Sequence, residues 1–348
     1  MSKAYMIFDL QFGSTGKGLL AGYLAKVNKP DVVVTAWGPN AGHTFIDDKG
    51  RVFIHRMLAN GVVSPNLETI LIGPGSVIDL DTLRGEIDSC RDLMIGKSII
   101  IHPQAVVVTA KHRTTESRNV KIGSTMKGTG AAIIERIERD PENNPTAEAV
   151  ISQNWLDAIA QKGIGVCVDA NEYRKTVSGA KVLQIEGAQG FSLSIYHGIY
   201  PYTTSRDVTP SQVMADCGLP FKLNPTVYGT LRAHPIRVAN RFDDDGNLIG
   251  TSGPGYPDQT ELEWSDIGVE PELTTVTQLP RRIFSFSEIQ LKEALFHCSP
   301  DALFLNFTNY LTNDELKEVN ELIKGVAPIP ISWIGKGPTQ NDVYKVIW

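Results

Sequence analysis

Cysteine is scarce: Cys90, Cys167, Cys217 and Cys298 are the only four in 348 residues, and no two form a C-x-x-C pair. That spacing excludes a zinc ribbon or finger and fits reduced, mostly buried thiols of a cytoplasmic protein. The seven histidines include no H-x-x-x-H or H-E-x-x-H, which argues against a zinc centre built by the protein alone. Long apolar runs are missing too. Val32-Val33-Val34 and Ile99-Ile100-Ile101 are strand-sized, far below the roughly 20 residues of a membrane span. Basic charge is not in excess. The net charge of -6 argues against a general nucleic-acid binder while leaving room for local basic pockets. Met1-Ser2-Lys3-Ala4-Tyr5 runs straight into a strand pattern, with no space for a signal peptide, so the expected location is the cytoplasm. No repeat or low-complexity tract is visible.

What remains is ordinary for a soluble enzyme: 42% hydrophobic and 21% charged residues. Short β-branched runs predict strands over 5–9, 32–36, 69–72, 98–102, 182–186, 226–231, 303–307 and 329–333. Between them, periodicity predicts helices over 17–26, 80–90, 130–139, 152–162, 210–217, 287–296 and 313–324. This alternation implies an α/β fold, a large, mainly parallel central sheet flanked by helices, read as a single domain over 1–348. Residues 243–272, acidic and rich in Gly and Pro, break the pattern and read as a long functional or mobile loop.

Four segments carry chemistry. Gly13-Ser14-Thr15-Gly16-Lys17-Gly18 follows the first strand and opens a helix. Backbone N–H groups, a helix N-terminus and a lysine there suit a phosphate. The site is P-loop-like without being Walker A, since Gln11 stands where that motif needs its first Gly. Asn40-Ala41-Gly42-His43-Thr44 ends the next strand and offers a histidine to a developing oxyanion. Gly123-Ser124-Thr125-Met126-Lys127-Gly128-Thr129-Gly130 again places small residues, hydroxyls and a Lys before a helix. Arg136 and Arg139 on that helix should share a face. Glu186-Gly187-Ala188-Gln189-Gly190, then His197-Gly198-Ile199-Tyr200-Pro201-Tyr202-Thr203-Thr204-Ser205, put an amide and a hydroxyl cluster after another strand. An amide can bond a base edge.

Read together, and in this order along the chain, these segments and the late Gly337-Pro338 resemble the adenylosuccinate synthetase family, most of all its compact archaeal branch in length. That family joins aspartate to a 6-oxopurine nucleotide. A nucleoside triphosphate phosphorylates the 6-oxygen, and the aspartate amine then displaces the phosphate. The resemblance implies catalytic roles for Ser14, Lys17, His43 and Gln189. It implies an acceptor nucleotide held by Ser14, Asn40, Thr125, Gln189, Thr204 and Leu279, with Arg139 reaching it across a homodimer interface. The donor would lie on Gly13, Thr15, Gly16, Lys17, Gly18, Gly42, His43 and Thr44, and on Asn309, Gly337 and Pro338. Aspartate would meet Thr275, Val276, Thr277 and Arg281, and Mg²⁺ would sit near Ser14 and the Gly42 carbonyl.

Departures from the family pattern bear on specificity. Ser14 replaces an Asp that takes the purine N1 proton, and Thr15 replaces the Glu beside it. Leu279 replaces an Arg that reaches the acceptor's 2′-hydroxyl, and Asn309 replaces an Asp that reads guanine in the donor. This pattern is similar to the family's bacteriophage branch, the 2-amino-2′-deoxyadenylosuccinate synthases. It implies a C–N ligase that condenses dGMP with L-aspartate using ATP or dATP, for 2-aminoadenine DNA, in a phage-infected host's cytoplasm. Two alternatives stand beside it: an ordinary synthetase using IMP and GTP, and a non-catalytic purine nucleotide-binding homologue.

Overall fold

The computed structural model describes residues 3–119, 126–243, 245–274, 278–326 and 328–346. Thr125, Thr275, Val276 and Thr277, singled out above, lie outside the described residues.

The first strand, β1 (Lys3–Asp9), alternates its side chains between two cores. Tyr5 and Ile7 enter one, and Ala4, Met6 and Phe8 the other. A strand covered on both faces must be apolar throughout, which is why it reads as a continuous run rather than an alternation. Among the described residues, β1 lies inside a sheet of ten strands. Their order is Val343–Lys345, Ile331–Gly335, Ala302–Asn306, Thr226–Arg232, β1, Val182–Glu186, β2 (Val32–Thr35), Thr69–Ile72, Ser98–Ile101 and Gly165–Val168. Every pairing is parallel except that of Val343–Lys345 with its neighbour. The carboxyl ends of the strands therefore open on one edge, where doubly wound sheets bind ligands.

Each predicted strand and helix is present, with boundaries within two residues. The edge strand Gly165–Val168 and the helices Ala110–Asn119 and Ala170–Gly179 were not predicted. Ala110–Asn119 carries no apolar stripe, so its helicity depends on packing rather than pattern. The hairpin β3 (His43–Ile46) and β4 (Val52–His55) was missed because its strands carry no run of three aliphatic residues, unlike the equally short Val32–Thr35 and Thr69–Ile72.

Residues 243–272 are also more ordered than the sequence suggests. Leu248–Gly250 pairs with Arg241–Phe242, and Glu261–Leu262 joins Ile236–Arg237 and Arg282–Phe284 in a three-stranded sheet. Trp264 from this stretch packs with Ile236 and Ile283 in a small core of its own. Flanking segments, residues 236–242 before the stretch and Arg282–Phe284 after it, supply that order, and the periodicity of the stretch itself does not record it.

Candidate active site

The loop after β1 is built around a residue that sequence reasoning passed over. The carboxylate of Asp9, fully buried, accepts hydrogen bonds from the backbone N–H groups of Gln11 (2.9 Å), Gly13 (3.3 Å) and Thr15 (3.4 Å). It also accepts from the Thr15 hydroxyl (2.5 Å) and pairs with Lys17 Nζ (2.9 Å). Lys17 donates in addition to the Gln189 carbonyl at 2.8 Å, which ties the loop to the end of strand Val182–Glu186. A charged residue ending a buried run just before a glycine loop was the available signal for Asp9.

Helix α1 (Lys17–Asn28) then starts from Gly16, at φ 92°, where a Cβ would overlap the Asn306 amide. Asn306 also donates to the Thr15 carbonyl (3.3 Å). The glycine is needed for both its left-handed conformation and its close approach.

Ser14, also left-handed at φ 57°, is exposed on the cavity floor. Its carbonyl accepts from Arg232 Nη1 (3.1 Å). Arg232 is fully buried, paired with Glu272 (2.5 Å) and stacked over Phe307 (3.9 Å). Thr15 corrects an expectation. Its hydroxyl turns inward to Asp9 and Thr230, so its side chain braces the loop and does not face a donor nucleotide.

His43 opens β3 and lies flat on Trp37, with ring centroids 4.0 Å apart. The Trp37 indole is fixed by donating to the Glu186 carbonyl (2.8 Å). Burial first, then the positive Lys17 and the neighbouring His55, hold the His43 pKa well below the ordinary histidine value. The ring is therefore neutral at pH 7, and its buried Nε2 has no partner among the described residues. A neutral imidazole with an unused nitrogen is suited to donating or accepting one hydrogen bond to a ligand.

One cavity of about 850 Å³ gathers nearly all the sequence candidates. Gly13, Ser14, Gly16, Lys17 and Gly18 form its floor, and Asn40, Gly42, His43 and Thr44 one wall. Gln189 and Thr204 line another side. Leu279 and Arg281 face in from the 273–281 segment, and Asn309, Gly337 and Pro338 line the rim. Leu279 is 40% exposed, and its N–H donates to Thr274 Oγ1 (3.1 Å). Burial lowers the Arg281 pKa.

Arg139 does not join the cavity. It is the exposed, left-handed residue (φ 54°) that ends helix Thr129–Glu138, so it does not share a helical face with Arg136, which donates to the Pro74 carbonyl (2.7 Å).

Two further lining residues add to the site, Thr129 from the 123–130 segment and Arg237, which the sequence reading passed over. Thr129 begins its helix with a buried hydroxyl that has no partner among the described residues. Arg237 is 3% exposed and, among the described residues, donates only to the Pro254 and Tyr202 carbonyls (3.2 and 2.9 Å). Burial, then Arg282, pushes its pKa down to about 10. Both add donors to a site that can attract anions. No local pattern marks Arg237, since its place comes from contacts made across the fold.

For a divalent cation, Ser14 and Gly42 offer exposed neutral oxygens, while Asp9 is already saturated. Among the described residues no cluster of three or more acidic, His or Cys side chains could hold an ion alone. That donor set fits Mg²⁺ brought on a ligand's phosphates, because Mg²⁺ keeps several waters and needs few protein groups.

A phosphate-type loop, a neutral buried histidine and a large cavity at the carboxyl ends of a parallel sheet define a nucleotide-binding α/β enzyme. The chain belongs to the adenylosuccinate synthetase family, whose sequence profile matches residues 6–143 and 146–320. It is 50% identical to the N6-succino-2-amino-2′-deoxyadenylate synthase of Salmonella phage PMBT28, covering 98% of this chain and 97% of that protein. It is 49% identical to the protein of that name from Acinetobacter phage SH-Ab 15497, covering 99% and 93%.

Its structure superimposes on the succinoaminodeoxyadenylate synthetase of cyanophage S-2L, solved with dGMP and with dATP as energy donor. The TM-score is 0.90 at 41% identity, over 99% of this chain and 95% of that one. Adenylosuccinate synthetase from Plasmodium falciparum shares the fold, with a TM-score of 0.77 at 19% identity, each chain covered in full. No helix among the described residues is long and apolar enough to cross a membrane.

Proposed function

We propose that this enzyme condenses dGMP with L-aspartate, driven by ATP or dATP, to give N6-succino-2-amino-2′-deoxyadenylate, ADP or dADP, and phosphate. The observation that carries the reading is Ser14, a small uncharged residue on the cavity floor where the wider family has a carboxylate. The phage relatives' names and the cyanophage complex support it.

In the first step the guanine 6-oxygen attacks the donor's γ-phosphorus, the bond to the β-phosphate oxygen breaks, and the base loses its N1 proton. In the second step the aspartate amine attacks C6, phosphate leaves with the C6–O bond's electrons, and the amine gives up a proton. Mg²⁺, when bound beside Ser14 and Gly42, would offset phosphate charge. His43 would hydrogen-bond the transferring phosphoryl group, and Lys17 with the loop N–H groups would hold the donor. Gln189 would bond the base. Asn40, Thr204 and Thr125, with Thr129 at its helix start, would take the acceptor's phosphate. Arg281, with Thr275, Val276 and Thr277, would hold aspartate carboxylates, for which an arginine fork is suited. Phosphate release measured with dGMP and with IMP, each with and without aspartate, tests the whole reading. Release from dGMP that depends on aspartate is expected; release from IMP alone would overturn it.

Asn309, exposed on the cavity rim, would read the donor base. An amide donates to adenine N1 and accepts from its 6-amino group, whereas a carboxylate suits guanine. ATP or dATP should be used in preference to GTP, and Asn309→Asp should shift the preference toward GTP. Equal use of GTP by the unaltered enzyme would remove Asn309 from this role. Leu279 would leave a ribose 2′-hydroxyl unpaired, so the dGMP-to-GMP ratio of kcat/KM should be about ten to a hundred. That ratio should fall in Leu279→Arg, and a ratio near unity in both proteins would count against the assignment.

The enzyme would act as a homodimer. Ile134 and Ile137, 60% and 66% exposed, lie one turn apart on the helix that ends at Arg139. An apolar pair beside an outward arginine fits a surface covered by a second copy, with Arg139 reaching the partner's acceptor phosphate. Mixing Arg139→Ala with His43→Ala protein should then restore about a quarter of full activity, because random exchange makes half the dimers mixed and each holds one intact site. A fully active monomer by sedimentation would sink this proposal.

A further inference from the structure

Among the described residues, five cations line the cavity: Lys17, Arg56, Arg237, Arg241 and Arg281. Lys17 pairs with Asp9, and Arg237 donates to two backbone carbonyls. Arg281 feels the charge of Glu272, and Arg241 lies on the separate hairpin with Leu248–Gly250. Arg56 follows β4, on the hairpin that carries Gly42 and His43, is half-buried and lines the cavity, and its guanidinium has no hydrogen-bond or ion-pair partner among the described residues.

Its position is fixed by two independent features. In the hairpin, His43 pairs with His55, so the next step of the register sets Arg56 opposite Gly42. A Cβ on Gly42 would stand 4.0 Å from both Cγ and Nε of Arg56. The same hairpin seals against α1: a Cβ on Gly18 would stand 2.6 Å from the Thr44 carbonyl. The backbone at Arg56 is itself held, since the buried Glu86 carboxylate accepts from the N–H groups of Arg56 (2.7 Å), Met57 (3.0 Å) and Leu58 (2.8 Å). The arginine thus projects from a clamped backbone at the wall that faces the phosphate loop.

We infer that Arg56 is a direct contact to the phosphate tail of the donor nucleotide, supplied by the hairpin across from Lys17. A triphosphate carries several charges, and the loop lysine is half-neutralised by Asp9. A second, unpaired cation with a planar fork matches phosphate oxygens. The inference rests on the donor lying over residues 13–18 as proposed above.

The test is direct binding of ATP, AMP and dGMP by calorimetry to the full-length enzyme, as Arg56→Ala, Arg56→Lys and, in parallel, Gly18→Ala. Truncating Arg56 leaves its backbone bond to Glu86 in place, so the fold should persist, with unchanged dGMP affinity as the check. Arg56→Ala should weaken ATP about ten- to a hundredfold while AMP and dGMP change little, and Arg56→Lys should recover part of the loss. ATP affinity within about twofold of the unaltered enzyme in Arg56→Ala, with Gly18→Ala still abolishing ATP binding, overturns the role of Arg56 and leaves the donor site standing. If Gly18→Ala also binds ATP normally, the donor site itself has been misplaced. Equal loss of AMP and ATP would place Arg56 at the nucleoside or its α-phosphate and not on the β- and γ-phosphates, which also overturns the inference.

Discussion

The purified enzyme should turn over dGMP faster than IMP by a factor that can approach about 10⁴, and Ser14→Asp should erase much of that advantage. Guanine differs from hypoxanthine by a 2-amino group that needs room and a partner. Ser14, small, exposed on the cavity floor and able to donate or accept, would provide both. A site that hydrogen-bonds an amine rejects the analogue lacking it more strongly than an apolar pocket can.

The substitution should not unfold the loop. Ser14 sits at φ 57°, a left-handed conformation that Asp tolerates better than most residues, and it is the Ser14 carbonyl, not the side chain, that Arg232 holds. The measurement is kcat/KM for dGMP and IMP in both proteins. An unaltered enzyme that prefers IMP, or a Ser14→Asp variant with the same ratio as its parent, would show that discrimination lies elsewhere.

Asp9→Asn should be more damaging than any substitution on the cavity surface. Asp9 is fully buried and Lys17 almost so, with side-chain exposures of 0% and 8%. Removing one charge leaves the other buried and unpaired, at a cost of about 3–5 kcal/mol. The asparagine amide would also turn an NH₂ toward N–H groups that now converge on carboxylate oxygens. Urea unfolding should register the loss of stability, and ATP binding should fall with it because the loop loses its centre. A change in unfolding free energy under about 1 kcal/mol would mean that the loop keeps its shape without the ion pair.

Much of this enzyme was legible from the chain alone, and physical reasons explain which parts. The buried parallel strands are continuous apolar runs, so their positions emerged within two residues. The phosphate loop was readable because close approach to an anion demands glycines, and glycines are conspicuous in sequence. Gly42-His43 and Gln189 were readable because each lies in the segment that leaves a strand of the parallel sheet, Val32–Thr35 and Val182–Glu186, so chain order placed them at one edge of the sheet.

Tertiary structure decided the rest. It turned the Thr15 hydroxyl inward to Asp9 and Thr230, and it set Arg139 at the left-handed end of its helix instead of on one face with Arg136. It also assembled Asp9 with Lys17, Arg232 with Glu272, and Arg56 with Gly42, pairs separated by 8 residues, by 40 residues, and across a hairpin too short to show in periodicity. Such pairings depend on which strands become neighbours, and burial then sets their strength. A local pattern specifies where a strand begins and which way its side chains alternate, but not what waits for them on the other side of the cavity.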